Sequence, residues 1–348
     1  MVLSVASSYL RAFDTRLSGY ATGLSVLPPS SAGAVHLLQV MSNLLRGCQV
    51  AVDQNHSQAL DESQEEAGGK QEEEFVQGVV TLCRVCQILM ASDPKDLGEG
   101  VSALAEQCAL GCLKVLVLLT SDSPVDQSSQ SQGLEPSPNH IQPLVIRNPL
   151  VFHIVARFVA QGAHPKAQSS LFEHACLSLA LLLNLVKEGE GGAMQVTGLY
   201  IFDTCGLGRK CAIECTCKNR KLQLELYTKL YQDLQGMSTL QNDFHSTFLL
   251  GYLAVLLGLL TVNSESIKDK VYDSLPGEPG SNKFEDLAQS IEQFVHAYER
   301  VAQATKIKGL TDPEGEDENK EDEETVMTSG DAGSGIALDV ARRLRDIF

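Results

Sequence analysis

Leu, Val, Ala and Ile recur along this chain at three- and four-residue spacing, in long runs that each end at a polar or Pro/Gly-containing stretch. That period matches the 3.6-residue turn of an α-helix and not the two-residue alternation of a half-buried strand. Leu3, Ala6, Leu10, Phe13 and Leu17 fall on one helical face, and VVTLCRVCQILM and FLLGYLAVLLGLL are apolar enough to be buried. Aromatic residues make up only 5% and Trp is absent, so aliphatic side chains must carry the core. Helices packed on helices are the layer arrangement that suits such side chains. At 348 residues and 43% apolar content, there is material for one elongated domain or two compact ones.

The spacing predicts helices over 2–26, 34–52, 74–92, 98–120, 149–161, 171–187, 219–235, 239–262, 264–274 and 282–306, with a short amphipathic one over 336–348. Pro28-Pro29 and Ser92-Asp93-Pro94 read as helix stops, and Ser170-x-x-Glu173 and Asn282-x-x-Glu285 as helix starts. Pro276-Gly277-Glu278-Pro279-Gly280 reads as a turn. The acidic, Gln-rich stretch 54–74 is expected as a surface loop, 189–217 as an irregular connector, and 312–334 as disordered.

The expected organisation is an N-terminal helical lobe (1–120) and a flexible Ser/Gln/Pro linker or loop (121–148). A C-terminal helical lobe (149–308) and an acidic disordered segment with a short terminal helix (309–348) follow. The fold class is all-α: an array of helical hairpins of the HEAT or armadillo kind, a superhelix with acidic disordered loops. No fixed repeat length is visible in the sequence, so the helical class is the firmer part of this reading.

A formal charge of −17 and a pI near 4.9 set the chain against nucleic-acid phosphates and anionic membranes. Only short basic clusters oppose this, at Lys218, Arg220 and Lys221 and at Arg342, Arg343 and Arg345. Ten cysteines, mostly inside apolar runs, are too sparse for a secreted disulfide framework. MVLSVASSYLRAFDTRL lacks the basic start and long apolar core of a signal peptide. The most apolar stretch, Phe248 to Val262, is short of the roughly 20 residues a bilayer requires, and so is expected as a core helix. A reducing intracellular compartment is implied.

No catalytic constellation emerges. Cys205, Cys211, Cys215 and Cys217 could hold a zinc ion as four thiolates, but the segment lacks paired C-x2–4-C knuckles, and unbonded thiols in a connector are the other reading. Cys83-x2-Cys86 spells a redox pair, yet it falls mid-helix with both sulfurs on an apolar face, as do Cys108 and Cys112; core packing is expected. The histidines (36, 56, 140, 153, 164, 174, 245 and 296) form no metal-binding spacing and are expected at surfaces or helix ends. Gly206-x-Gly208-Arg209-Lys210 matches no phosphate loop, and Glu72 to Glu74 and Glu321 to Glu324 are solvated runs. Catalytic, cofactor-binding and metal-binding residues are therefore expected to be absent, and no cofactor is expected.

Two stretches resemble the C-terminal domain of the wings apart-like (WAPL) family of cohesin-release factors. The first is ACLSLALLLNLVKEGEGG, with Leu183-Asn184-Leu185-Val186 before an acidic residue and a lysine inserted between. The second runs from Ser246 to Gly277: TFLLGYLAVLLGLL, the polar turn Asn263-Ser264-Glu265-Ser266, and Val271-Tyr272-Asp273-Ser274-Leu275-Pro276-Gly277. Phe284 to Val295 is similar to the family's final helix, and the resemblance spans roughly 150–305. It implies a nuclear, non-enzymatic helical-repeat protein that binds cohesin subunits and their helical accessory subunit and promotes release from chromatin, with no direct nucleic-acid or membrane binding. The Phe-Gly-Phe docking motif of the family's longer members does not occur in this sequence. A helical scaffold or adaptor in another intracellular complex is the alternative.

Overall fold

The computed structural model describes Asn43 and residues 65–90, 100–121, 141–164, 167, 169–187, 190–198, 200–202, 220–238, 244–277, 281–310 and 330–347. The described residues are all-α apart from two three-residue strands. In order they form α1 (Glu65–Met90), α2 (Val101–Thr120), α3 (Gln142–Ile146), α4 (Pro149–Gly162), α5 (Ser169–Lys187) and α6 (Glu190–Gly198). β1 (Tyr200–Phe202) and β2 (Arg220–Leu222) follow, then α7 (Gln223–Ser238), α8 (Phe244–Asn263), α9 (Glu265–Ser274), α10 (Lys283–Leu310) and α11 (Gly330–Arg345). The helices expected at 2–26 and 34–52 lie outside the described residues, Asn43 apart.

The chain divides into two compact units, Met1–Leu226 and Tyr227–Phe348, with the boundary inside α7. The division expected across 121–148 is not where the contacts part. α1 and α2 precede that segment, yet they pack on α4 and α5, which follow it, within the first unit.

In the first unit, α1 and α2 form one hairpin and α4 and α5 another. Gln77 and Gln87 of α1 meet Asn148 and Ile154 at α4, so α1 and α4 run side by side in one direction. Likewise Glu106 and Val117 of α2 meet His174 and Asn184 of α5. The hairpins are thus stacked with first helix on first helix and second on second. Apolar, mainly aliphatic faces drive the stacking: Val79, Val80, Leu82, Leu113, Leu116, Phe152, Val155, Leu179, Leu182 and Leu185 are all buried. At the end of α4, Gly162 lies directly against Ala175 and the Leu171 carbonyl of α5, a closeness that any β-carbon would prevent.

The second unit is built on α8, which is apolar around its circumference. α8 packs on α9, α10 and α11. Gly251 faces Phe294 of α10, and Gly258 faces Val340 and Leu344 of α11 and Ile291 of α10. These two glycines, seven residues apart, admit the neighbouring helices. The predicted turn contains Gly277 at φ 126°, and Asn282 caps α10 by accepting from the Glu285 amide at 3.2 Å.

Several boundaries differ from expectation. α1 starts at Glu65, inside the stretch expected as a loop: Glu, Gln, Lys and Ala favour helix even where they have nothing to bury. Gln142–Ile146 is helical within the expected linker, and Glu190–Gly198 is helical where 189–217 was expected to be irregular. β1 and β2 pair antiparallel, Tyr200 opposite Leu222 and Phe202 opposite Arg220, in a region with no strand periodicity. α5 opens at Ser169, placing Ser170 inside the helix and not at its cap. α11 begins at Gly330, so 330–334 is helical and not disordered. Residues 311–329 lie outside the described residues.

Candidate functional site

The cysteines of α1 and α2 meet in the core. Cys83, Cys86, Cys108 and Cys112 are thiols, not disulfides, and fully buried; Cys86 faces Cys108, and Cys83 faces Cys112. The hydrogen bond to Cys108 and burial raise the Cys86 thiol, and burial together with Cys83 raises that of Cys112. Burial pushes Cys176 up to about 12. None of these three is a thiolate at neutral pH, so each behaves as a small apolar side chain. Among the described residues no group of three or more His, Cys, Asp or Glu is placed to hold a metal ion. Cys205, Cys211, Cys215, Cys217, Gly206, Gly208, His36, His56 and His140 lie outside the described residues.

Two histidines expected at surfaces or helix ends are buried instead. His174 has its Nδ1 2.7 Å from the Ser170 carbonyl and its Nε2 3.1 Å from the Glu106 carbonyl, fastening α5 to α2. His153 is held down to about 3 by burial and by the charges of Arg84 and Arg157. Arg84, also buried, donates to Gln87 Oε1 at 2.6 Å, and Gln87 donates to the Ile154 carbonyl at 3.0 Å. This is a polar seam between α1 and α4. His245 and His296 are exposed, as expected.

The residues that carry the family resemblance hold helices together. Asn184 donates from its amide to the Val117 carbonyl, Thr120 Oγ1 and Ser121 Oγ, each at 3.3 Å, capping the end of α2. The Asn184 carbonyl accepts from Gln142 of α3 at 2.5 Å. Tyr272 donates to the Ser281 carbonyl at 2.9 Å and stands edge-on to Phe284. Lys283 donates to the carbonyls of Tyr272 and Leu275 at 3.1 and 2.8 Å, satisfying the end of α9. Gly251 is the contact point for Phe294.

The surface feature best suited to contact a partner lies on α8 and α10. Phe244 and Phe248 lie 4.4 Å apart between ring centres; Phe248 meets Phe294 at 5.6 Å, Tyr252 meets Phe294 at 5.1 Å, and Phe294 meets Tyr298 at 6.3 Å. Phe294 is buried, Phe248, Tyr252 and Tyr298 are half-buried, and Phe244 is 51% exposed. In a chain with only 11 Phe and 8 Tyr, this edge gathers five rings, the side-chain type that most often anchors interfaces. The edge carries no nucleophile or acid–base pair; it can bury apolar side chains and offer phenol hydroxyls to polar ones. Sequence reasoning passed over it, although the four-residue spacing of Phe244, Phe248 and Tyr252, repeated at Phe294 and Tyr298, is its signature.

α2, α5 and α8 are, by length and composition, long and apolar enough to cross a membrane. The expectation that the run through Phe248 to Val262 is too short is therefore corrected: α8 spans 20 residues. Compared with known proteins, the chain matches no protein-family model and shows no significant similarity to a curated protein.

Proposed function

We propose that this chain is a non-enzymatic, nuclear helical scaffold that binds cohesin subunits and their helical accessory protein and promotes release of cohesin from chromatin. The observation that carries the reading is where the resembling residues fall. Asn184, Gly251 and Tyr272, three of the residues that carry the resemblance, fasten one helix to the next, which supports the reading. The stacked hairpins of the first unit are read as repeats of the HEAT kind, and the aromatic edge of α8 and α10 as the contact surface. Such a protein acts by binding one conformation of its partner more tightly than another, which shifts the population toward an open ring with no covalent step. It has no cofactor and binds neither nucleic acid nor membrane directly.

The test is recovery of partners from nuclear extract on the tagged full chain. Cohesin subunits are expected with the wild type. Phe244→Ala, which removes an exposed ring, is expected to weaken that binding about thirtyfold, the scale of one interface hot spot. Reproducible recovery of an unrelated complex without cohesin transfers the scaffold reading to that complex.

A further inference from the structure

We propose that the aromatic edge of α8 and α10 takes a basic segment of a protein partner, and that the acidic stretch 312–324 supplies the charge that attracts it. This rests on reading the edge as the contact surface, and adds the chemistry of what it contacts.

Two features of the second unit meet at one end of it. The first is the rings, with Phe244 at the start of α8 half-exposed and Tyr298 of α10 partly so. The second is charge: nine carboxylates stand between Asp312 and Glu324 against the single Lys320. Where that stretch is tethered follows from the helices on either side of it. α10 runs antiparallel to α8, since Gly258 faces Ile291 and Gly251 faces Phe294. Its last residue, Leu310, therefore lies beyond Tyr298, by about 18 Å at 1.5 Å per residue. α11 runs antiparallel to α10, with Arg345 beside Glu285 and Glu292 and Val340 against Gly258. Gly330, ten residues before Val340, thus comes at about the level of Phe248 along α8. The acidic stretch leaves and rejoins the unit at the end where the rings stand.

Together these features choose among partners. A ring face attracts a cation through its quadrupole, by about 1 kcal/mol at an exposed site, and a guanidinium also stacks on it. Clustered carboxylates raise the local concentration of cations over a Debye length of roughly 10 Å at 0.1 M salt. An arginine-bearing segment gains from both. An uncharged apolar segment gains from the rings alone, and an acidic one is repelled. At the opposite end of α10 the carboxylates of Glu285 and Glu292 are already taken by Arg345, so the chain answers its own charge there.

The probe is a short fluorescein-labelled oligo-arginine peptide, titrated into the full chain and followed by anisotropy. Phe244→Leu keeps the apolar bulk and removes the ring face, and is expected to weaken binding about fivefold. Replacing the nine carboxylates of 312–324 by their amides is expected to weaken it at least about tenfold and to flatten its salt dependence. The same replacement at Asp61, Glu62, Glu65 and Glu66, in the other unit, is expected to leave it within about twofold. No binding, binding indifferent to Phe244→Leu, or a loss per charge as large at 61–66 as at 312–324 overturns the proposal. So does a dimer in sedimentation equilibrium that Phe244→Ala dissociates, which gives the edge to a second copy. Should Phe244→Ala weaken cohesin recovery while Phe244→Leu leaves oligo-arginine binding unchanged, the edge stands as a contact surface and this proposal falls; if neither substitution changes anything, both readings fall.

Discussion

His153 is kept neutral by its burial and by the charges of Arg84 and Arg157, and this has a consequence for acid stability. Its folded value of about 3 lies below the ordinary 6.5. As pH falls below 6.5 the unfolded chain takes up a proton that the folded chain refuses. The contribution is therefore complete above 6.5 and is lost progressively down to about 3, at ~1.4 kcal/mol per unit. His153→Leu removes that slope. Between pH 7 and pH 5 the wild type is expected to lose about 2 kcal/mol more than the variant, read from urea midpoints at both values; identical losses refute it. Asn184→Ala deprives Val117, Thr120 and Ser121 of a shared donor and is expected to cost about 1 kcal/mol. It is modest because the Val117 carbonyl still accepts from the Ser121 amide at 2.9 Å. Cys86, Cys112 and Cys176 should resist maleimide at pH 8 until denaturant is added, with labelling followed by peptide mass spectrometry.

The two glycines of α8 separate two kinds of helix contact. A β-carbon at Gly251 runs into Cβ and Cγ of Phe294, the part of that side chain fixed to the α10 backbone. At Gly258 it meets Cγ1 of the stiff, β-branched Val340 at 2.6 Å, but its other neighbours are the terminal methyls of Ile291 and Leu344 at 3.1 and 3.3 Å, which can give. Gly251→Ala is therefore expected to destabilise by roughly 1–2 kcal/mol despite the helix propensity gained, and Gly258→Ala by less. Chemical denaturation of both variants checks the order, and a larger loss at Gly258 contradicts this packing. The same scale shows which element ends were readable. α4 starts at Pro149 with Asn148 accepting from the Leu150 amide at 3.1 Å, and α10 starts after Asn282, both as their cap residues announce. The Gly-rich 189–192 stretch reads as a stop, and α5 does end before it at Lys187; a new helix, α6, then opens at Glu190, with Gly192 against the Leu185 carbonyl, where only a glycine fits.

Among the described residues, three helices have the length and apolarity of membrane spans, and what argues against that use is charge. Lys114 of α2 pairs with Glu173 of α5 at 3.5 Å, a partly exposed ion pair that hydrocarbon would penalise heavily. The chain is expected to stay in the supernatant when spun with anionic vesicles at low salt, as its net charge of −17 also requires; co-sedimentation would favour the membrane alternative.

Periodicity, composition and cap residues were enough to fix the helical class and most helix positions, because hydrophobic spacing and capping are local properties of the chain. They could not tell which helices stack, that His153 and His174 are internal, or that five aromatic rings from α8 and α10 share one edge. Those facts depend on which faces meet across tens of residues. That is settled by close approach at Gly162, Gly251 and Gly258 and by hydrogen bonds such as those of Gln87 and Asn184, neither of which has a signature within a single helical turn.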